Sequence, residues 1–408
     1  MRALRVIFLY DDDVSVRFPA HYRRPMLDYL PSQYGIQTDV LCFNSSITEV
    51  KFEKRENGWI AYLPKIRPRS LPAIVTEVQR TRKNIKTAIT KIIQGSVIHP
   101  THFVAFNYPL FLRAAEVWAR KFSAKFIVHI GFLMPEELLQ RPSFVHKARG
   151  FAGRLMRNSI LRRADQVWAM SDAMRSLFIS ELGLREEKVK VWPSGVEVNS
   201  ASEFCEDRRE VYRKTLGLRR ESFGFIYIGA LSRFRKLEIL IDAMGMLVNR
   251  GGYENTRLIF IGYAPSVEDT AYLLERARSK RLENFVRVYP SVSEDELPCY
   301  IRACDVGLSP IEPNQVLSYS SPVKILEYFK VGLPVIASTI PDQNLVISES
   351  EGGVLVGWSP HEFARAMADM YKLSPFQRRE MGMRGFNWLV QHREIKKLTK
   401  DMVSWLEN

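Results

Sequence analysis

Several features that would assign this sequence to a class at once are missing from its 408 residues. No apolar run approaches the ~20 residues that a membrane-spanning helix needs, and no low-complexity tract is present. Neither a GxGxxG nor a Walker phosphate loop occurs, which excludes the common glycine-loop and P-loop nucleotide sites. The composition, 46% hydrophobic and 25% charged, is that of an ordinary globular protein. These absences leave a globular protein that is soluble or attached to a surface.

Cysteine is also scarce. The four residues Cys42, Cys205, Cys299 and Cys304 form no CxxC pair and lie too far apart in sequence to suggest a zinc site. We expect them to be reduced, buried thiols of a cytosolic protein. The first apolar run, of about six residues, is too short for the core of a signal peptide. We therefore expect a cytoplasmic protein, either free or peripheral at the inner membrane face.

Positive charge is abundant and unevenly placed. The chain carries a formal net charge of +14, and residues 61–165 alone hold 19 Lys and Arg against 5 Asp and Glu. The stretch 65–95 has apolar residues at helical spacing among its cations, and 141–163 is a second cluster of cations. This pattern fits either a solvated helix face or attachment to an anionic membrane surface. Nucleic acid is disfavoured as a partner, because aromatic residues are not interleaved with the cations.

Short apolar runs alternate with helical patterns along the whole chain, which predicts parallel βαβ units. A polar stretch at 199–210 interrupts the rhythm, and 408 residues are too many for one core. We predict an α/β protein with two Rossmann-like, doubly wound domains, 1–200 and 201–375, and C-terminal helices at 376–408 that pack back across them. Ligands are expected in a central cleft, at the carboxyl ends of the strands. The predicted strands are 4–10, 38–43, 59–64, 102–107, 125–131, 166–171, 189–195, 223–229, 257–262, 286–292, 305–310, 333–338 and 352–357.

The stretch SYSSPVKILEYFKVGLPVIAS at 318–338 predicts a short helix followed by a strand. Ser321 before Pro322 is typical of a helix start, and Gly332 is placed to end it, giving a helix at 322–331. The free amides at such a helix start favour an anion. Lys324 and Glu327 share one face of it, which is also the pattern of a surface ion pair worth about 0.2–0.5 kcal/mol.

A second stretch, YIGALSRFRKLEILIDAM at 227–244, places three cations in the loop after a strand. The strand ends at Gly229, and Arg233, Arg235 and Lys236 follow. Cations at the carboxyl end of a strand suit a diphosphate, although a solvated basic turn gives the same pattern. The two stretches would line one rim of one domain. A carboxylate that accepts from vicinal hydroxyls, beside cations and a helix end, fits the ribose and diphosphate of a nucleotide sugar.

These motifs, in this order, resemble those of the retaining, nucleotide-sugar-dependent glycosyltransferases of the GT-B fold, in glycosyltransferase family 4. The resemblance covers about 164–345 and includes ADQVWAMSDAMRSLFISELGLREEKVKVWPSGVEV (164–198), LIFIGYAP (258–265) and VSEDELPCYIRACDVGLSPI (292–311). It implies transfer of a sugar from a nucleotide donor, with retention, to a glycan, lipid-linked or other acceptor. The acceptor site would lie in the N-terminal half, and cell-surface polysaccharide or glycoconjugate biosynthesis is the expected context.

The resemblance also implies roles for individual residues. Glu327 corresponds to the glutamate that binds the ribose hydroxyls of the donor. Arg233, with Arg235 or Lys236, lies in the loop that neutralises the diphosphate. His129 falls where many members have a histidine near the reacting sugar, although a histidine satisfied within a strand-end network is the alternative. The residues predicted to bind the donor are Gly229, Arg233, Arg235, Lys236, Tyr319, Ser321, Pro322, Val323, Lys324 and Glu327, and those predicted to be catalytic are His129, Arg233 and Lys236.

The sequence departs from the family pattern at two positions. Tyr319 stands where a second glutamate is common, and Ala230 stands where an arginine directly follows the glycine. These departures leave a non-catalytic protein descended from a transferase as an alternative. A nucleotide-sugar epimerase of the same fold is a second alternative, disfavoured because the matching motifs are those of transferases. No metal or cofactor is required, because cations and amides stabilise the leaving diphosphate. Asp11 and Asp13 resemble the metal-binding DxD motif of another glycosyltransferase fold, but that motif does not open the chain there.

Overall fold

The computed structural model describes residues 3–16, 18–65, 71–141, 143–198 and 207–408, with the backbone alone at 71–74. The chain forms two compact units, Met1–Pro193 with Ile395–Asn408 (unit 1) and Ser194–Glu394 (unit 2). Each unit contains a mostly parallel sheet with helices, so the predicted pair of Rossmann-like α/β domains is confirmed. The division lies seven residues before the predicted boundary at 200, and residues 199–206 are outside the described part.

Unit 1 is built on a sheet of eight strands in the order β3-β4-β2-β1-β5-β6-β7-β8. All neighbours are parallel except β3 and β4, which form an antiparallel hairpin. Strand β3 was not predicted, because its sequence KFEKR is polar and largely exposed. The strands are β1 (Arg5–Asp13), β2 (Gln37–Asn44), β3 (Lys51–Arg55), β4 (Gly58–Pro64), β5 (His102–Phe106), β6 (Lys125–Ile130), β7 (Gln166–Ala169) and β8 (Val189–Val191).

The helices of unit 1 include the last helix of the chain, so the predicted segment 376–408 is divided between the units. A π-helical turn at Arg24–Tyr29 and a 3₁₀ turn at Glu186–Lys188 complete the regular structure. The helices are α1 (Ala20–Arg23), α2 (Leu30–Tyr34), α3 (Leu71–Gln94), α4 (Pro109–Phe122), α5 (Met134–Gln140), α6 (Phe144–Arg163), α7 (Asp172–Leu182) and α16 (Ile395–Glu407).

A buried arginine ties the centre of this sheet to helix α3. The guanidinium of Arg5, in β1, donates to Asp39 Oδ2 at 2.8 Å and to the carbonyl oxygens of Ile92 and Ile98 at 2.8 and 2.6 Å. Both charged side chains are fully buried. Because each partner satisfies the other, removing one would leave an isolated charge, which costs about 3–5 kcal/mol.

Unit 2 is built on six parallel strands in the order β11-β10-β9-β12-β13-β14. The chain runs outward from β9 to one edge, then returns to β12 and runs to the other edge. The order therefore reverses between β9 and β12, which is where ligands bind in doubly wound sheets. The strands are β9 (Phe223–Ile228), β10 (Thr256–Ile261), β11 (Val286–Tyr289), β12 (Val306–Ser309), β13 (Val335–Ser338) and β14 (Gly353–Val356).

The helices of unit 2 connect these strands, and short 3₁₀ turns precede two of them at Arg233–Arg235 and Leu317–Tyr319. Helix α15 covers most of the first part of the predicted segment 376–408. The helices are α8 (Arg209–Thr215), α9 (Glu238–Val248), α10 (Val267–Ser279), α11 (Leu297–Arg302), α12 (Val323–Lys330), α13 (Pro341–Ser350), α14 (Pro360–Lys372) and α15 (Pro375–His392).

A tyrosine from α12 fills the gap where β9 and β12 diverge. These strands pair only at Val306–Phe225 and Gly307–Ile226. Beyond that point the buried hydroxyl of Tyr328 accepts from the amide of Ile228 and donates to the carbonyl oxygen of Leu308, each at 3.0 Å. A Cβ on Gly307 would lie 2.4 Å from the Tyr328 ring. The absence of a side chain at Gly307 therefore lets α12 approach the carboxyl ends of both strands.

The structure tests two earlier predictions, one on membrane-spanning helices and one on the state of the cysteines. In the described part of the chain, no helix is long and apolar enough to cross a membrane. Cys42 and Cys304 are free and buried, as predicted. Cys299 is disulfide-bonded, so the prediction of a reduced thiol is wrong there, and Cys205 lies outside the described residues.

Candidate active site

The carboxyl ends of β9 and β12 bring together the two stretches predicted to bind the donor. The loop that follows β9 carries Gly229 and the three cations, and α12 begins beyond the loop that follows β12. Because β9 and β12 are neighbours in the sheet, both loops leave from the same edge. This edge is where the strand order of unit 2 reverses, so the two stretches predicted to bind the donor lie at the same place in the fold.

The loop after β9 is held by a close approach between two glycines. Gly229 has φ +131°, a conformation that side chains disfavour. A Cβ on Gly262, directly after β10, would lie 1.7 Å from the carbonyl oxygen of Gly229. The amide of Leu231 then donates to Tyr263 O at 2.8 Å. These contacts fix the backbone that presents the cationic turn.

Lys324 connects helix α12 to this loop. Its Cε lies 3.8 Å from where a Cβ on Gly229 would stand, and its Nζ lies 5.4 Å from the centre of the Tyr227 ring. The side chain is partly buried. Burial, together with the positive charge of Arg235, lowers the pKa of Lys324 to about 7. Lys324 thus lies beside Gly229 near the start of α12, within the influence of a second cation, an arrangement that favours an anion.

The other two cations of the loop have partners of their own. The guanidinium of Arg233 lies 4.9 Å from the centre of the Tyr272 ring, and its amide donates to Asp269. Lys236, which has φ +50°, forms an ion pair with Glu312. Arg235 also contacts a ring, with its guanidinium 6.0 Å from the centre of the Phe234 ring, so Lys236 is the loop cation for which the described residues show an ion pair. The predicted roles of Arg233 and Lys236 remain predictions.

The start of α12 differs from the prediction. The helix begins at Val323 with Pro322 at the N-cap, and no side chain caps it. The predicted hydroxyl cap at Ser321 and the helix start at Pro322 are wrong, because Ser321 is engaged elsewhere. Its Oγ accepts from the amide of Ser194 at 3.2 Å and from Arg393 Nη1 at 3.1 Å. The predicted end is correct, since Gly332 follows the helix with φ +65°.

This buried network positions the segment that precedes α12. Arg393 Nη2 donates to Asp342 Oδ1 at 2.8 Å, and Ser194 Oγ donates to the carbonyl oxygen of Ser321 at 2.6 Å. Ser194, Ser321, Asp342 and Arg393 are all buried. The network fixes where the free amides of α12 point, which is a positioning role that the sequence did not reveal.

Glu327 lies one turn after Lys324 on α12, and both side chains are partly buried. Residues three apart share a helix face, so the carboxylate lies on the side that carries Lys324. Tyr319 ends the 3₁₀ turn Leu317–Tyr319 and is also partly buried. The predicted contacts of Glu327 and Tyr319 with a donor remain predictions.

His129, near the end of β6 in unit 1, is fully buried. Its Nδ1–H donates to the carbonyl oxygen of Trp168 at 3.1 Å, so its Nε2 accepts from the hydroxyl of Tyr22 at 3.0 Å. Burial lowers the pKa of His129 to about 3, against the opposing effect of the bond to Trp168. These contacts are those of a neutral histidine satisfied within a strand-end network, the alternative left open above. The predicted catalytic role remains a prediction.

Unit 1 has its own point of reversal, between β1 and β5. Strand β1 ends in Asp11, Asp12 and Asp13, and Asn107 follows β5. Burial and the charge of Asp12 raise the pKa of Asp11 to about 7, while a hydrogen bond with Asn107 opposes the shift. Asp13 Oδ1 accepts from the hydroxyl of Ser15 at 2.6 Å. In the described residues, no group of three or more His, Cys, Asp and Glu side chains could hold a metal ion.

Comparison with known proteins places both units in one group of enzymes. The family "Glycosyltransferase Family 4" matches residues 27–200, and the family "Glycosyl transferases group 1" matches residues 222–372. The chain belongs to the family 4, group 1 glycosyltransferases. Membership is consistent with the GT-B fold seen in its two Rossmann-like sheets.

Curated relatives of this glycosyltransferase family member are distant. The D-inositol 3-phosphate glycosyltransferase of Paenarthrobacter aurescens is 26% identical over 215 residues, which is 52% of this chain and 50% of the relative. That of Kineococcus radiotolerans is 26% identical over 257 residues, or 58% and 57%. The chain thus spans about half the length of the curated relatives it matches.

Solved structures share the fold over nearly the whole chain. Sucrose-phosphate synthase of Thermosynechococcus elongatus superposes with a TM-score of 0.74 at 14% identity, covering 99% of this chain and 98% of that one. Anabaena HepE, solved with UDP and glucose, has a TM-score of 0.68 at 16% identity, with 99% of each chain covered. At these identities the likeness establishes the GT-B fold.

Proposed function

We propose that this protein transfers a glycosyl unit from a nucleoside-diphosphate sugar to a hydroxyl of a glycan, lipid-linked or other acceptor, with retention of configuration. The observation that carries the proposal is the position of Lys324 beside Gly229, at the point of reversal in unit 2, where the charge of Arg235 also acts on it. The positive charge of Arg235 acts on Lys324 and contributes to the lowering of its pKa. An anion bound between two such cations is stabilised by both of them.

The site acts on the leaving group. As the bond between the sugar and the diphosphate breaks, negative charge grows on the phosphate oxygens. Lys324, Arg235 and the free amides at the start of α12 stabilise this charge more strongly in the transition state than in the ground state. Glu327, one turn further along α12, accepts hydrogen bonds from the ribose hydroxyls and so fixes the nucleotide. No step requires a metal ion.

The nucleotide can be chosen from a related structure. HepE was solved with UDP and glucose, so UDP-glucose is the first donor to test. Tyr319 stands where a second carboxylate is common in the family. We propose that it contacts the donor sugar with a hydroxyl instead, which would change the sugar that is preferred.

The acceptor side of unit 1 favours a neutral acceptor. Names of related proteins include D-inositol 3-phosphate glycosyltransferase and sucrose-phosphate synthase, which refer to phosphorylated compounds. The end of β1 carries Asp11, Asp12 and Asp13, and the positive charge of Lys65 acts on Asp11. Carboxylates repel a phosphate group but accept hydrogen bonds from sugar hydroxyls. We therefore propose an unphosphorylated glycan hydroxyl as the acceptor group.

The test is acceptor-dependent release of UDP. The purified protein is incubated with UDP-glucose and a panel of glycan, glycolipid and sugar-phosphate acceptors, and UDP and product are measured separately. UDP release that requires an unphosphorylated acceptor, with an α-anomeric product by NMR, is the expected result. Conversion of the donor sugar without an acceptor would support the epimerase alternative. Tight donor binding without turnover across a full panel of donors would support the non-catalytic alternative.

A further inference from the structure

Helices α3 and α6 are the long helices of the cation-rich stretches 65–95 and 141–163, and they differ in which of their apolar side chains are exposed. In α3 the apolar side chains of Ile85, Ile89 and Ile92 are buried, and the cations face solvent. That is the solvated helix face which was one of the two alternatives for residues 65–95, of which 66–70 lie outside the described part. In residues 144–155 of α6, by contrast, large apolar side chains face solvent.

The buried residues of α6 are Gly150, Arg157, Ile160 and Leu161. A Cβ on Gly150 would lie 2.7 Å from the carbonyl oxygen of Pro135, so the helix approaches α5 closely. Arg157, also on this side, donates to both carboxylate oxygens of Glu136 at 2.7 and 2.8 Å. Packing against α5 therefore uses a glycine and a bidentate ion pair. Ile160 and Leu161, near the end of α6, are buried, whereas the large apolar side chains of residues 144–155 remain exposed.

Those apolar side chains form an exposed stripe. Phe144, Ala148, Phe151 and Leu155 are spaced four, three and four residues apart, and at 100° per residue they fall within about 60° of the helix circumference. Phe144 is 83% exposed, Phe151 52% and Leu155 55%. Ala148 between them is exposed as well. An apolar stripe of this kind normally faces a core, whereas this one faces solvent.

Cations border the stripe, and acidic residues are absent from the helix. Residues 144–163 contain no Asp or Glu. Lys147 and Arg154 lie along one side of the stripe, Arg149 on the other, and all three are exposed. Arg157 and Arg163 are paired with Glu136 and Glu116. Within the described residues, Lys147, Arg149 and Arg154 have no carboxylate partner.

We propose that α6 docks on an anionic lipid bilayer, with Phe144, Phe151 and Leu155 inserted at the headgroup boundary and the flanking cations on lipid phosphates. The two parts of the face require different things of a partner, since the stripe needs an apolar layer and its border needs negative charge. A bilayer with anionic headgroups supplies both at the spacing of an interfacial helix. A second copy of the chain would bring like charges together, and a nucleic acid would leave the stripe in water. The inference does not depend on the proposed glycosyl transfer.

The experiment is co-sedimentation of the full chain with vesicles of neutral phosphatidylcholine and with vesicles that contain phosphatidylglycerol. The natural sequence is expected to bind the anionic vesicles and to bind neutral ones at least tenfold more weakly. The variant Phe144→Ser/Phe151→Ser/Leu155→Ser is expected to lose at least tenfold in affinity. In Lys147→Gln/Arg149→Gln/Arg154→Gln each removed cation should weaken binding by about fivefold, corresponding to ~1 kcal/mol per cation.

A matched control changes exposed residues elsewhere. Phe376 and Val267 are 68% and 83% exposed, and Arg379 is also exposed. The variant Phe376→Ser/Val267→Ser/Arg379→Gln should bind vesicles as the natural sequence does. Because every substituted side chain is exposed, unchanged thermal unfolding verifies that all three variants are folded.

A second measurement reports insertion directly. In Phe151→Trp, anionic vesicles should shift the tryptophan emission to the blue, and lipids brominated near the headgroup should quench it. Absence of binding by the natural sequence, equal loss in the control variant, or no quenching of Phe151→Trp would overturn the proposal. Self-association without lipid that the triple serine variant abolishes would overturn it in favour of a second copy.

Discussion

Lys324 should make donor binding depend on pH in a range where the donor itself does not titrate. Burial and Arg235 lower the pKa of Lys324 to about 7 in the empty site. The diphosphate of a nucleotide sugar is fully ionised at all pH values near neutrality, and it binds the charged form of the lysine. Binding should therefore return the pKa towards its ordinary value, so the protein takes up a proton as the donor binds.

The magnitude follows from that pKa. With a pKa of about 7, roughly one lysine in ten is neutral at pH 6 and about nine in ten at pH 8. Calorimetry of UDP-glucose binding in buffers of different ionisation enthalpy should then give uptake of about 0.1 proton at pH 6 and about 0.9 at pH 8. The dissociation constant should rise about 25-fold between pH 6.5 and pH 8.5.

The variant Lys324→Arg is the matched control, because arginine stays charged over the whole range. It should flatten the pH profile and abolish proton uptake, whereas Lys324→Met should bind weakly at every pH. A flat profile for the natural sequence, or a profile in Lys324→Arg that falls in parallel with it, would refute the assignment of this lysine to the diphosphate.

Three further predictions concern the framework of the two units. Gly262→Ala should destabilise unit 2 by about 1–3 kcal/mol in urea unfolding and weaken donor binding, because its Cβ meets Gly229 O. Gly245→Ala, where a Cβ meets only Leu282 at 3.4 Å, should be neutral or stabilise by up to ~1 kcal/mol. The folded pKa of His129 is about 3, so its contribution to stability should fall as pH is lowered, by about 2 kcal/mol between pH 7 and pH 5. Urea unfolding of His129→Gln should show that much less acid sensitivity, and an unchanged slope would contradict the neutral, buried assignment. Arg5→Met should lower unfolding stability by about 3–5 kcal/mol, and a loss below ~1 kcal/mol would refute the buried pair.

Sequence patterns predicted most of the strands, because the burial of a segment is visible in its own pattern of apolar residues. All thirteen predicted strands are present, since each is a short apolar run between turn signals. Strand β3 escaped prediction because it is polar and lies at the sheet edge, paired with β4 through the turn before Gly58. The exposed stripe of α6 was also hidden, because helical spacing gives the period of an apolar face and leaves its direction undetermined.

The candidate site was predicted in part, and the missing part depends on contacts between distant residues. Ser321 followed by Pro322 has the local form of a helix cap, but Arg393 and Ser194, 72 and 127 residues away, engage its oxygen instead. Which cations of the loop after β9 have a partner also depends on contacts between residues that are distant in the sequence. Glu312 lies 76 residues from Lys236, and no local pattern could show that this carboxylate engages Lys236.

The most direct test of the central claim is donor binding by Glu327→Gln. The carboxylate is proposed to accept from the ribose hydroxyls, and hydrogen bonds to a charged group contribute about 1.5–3 kcal/mol. Calorimetry should therefore show UDP-glucose binding about 10- to 100-fold weaker in Glu327→Gln. Glu380→Gln, an exposed position on α15, should leave the affinity unchanged. Equal affinities for the natural sequence and Glu327→Gln would contradict the assignment of the donor site to the carboxyl ends of β9 and β12.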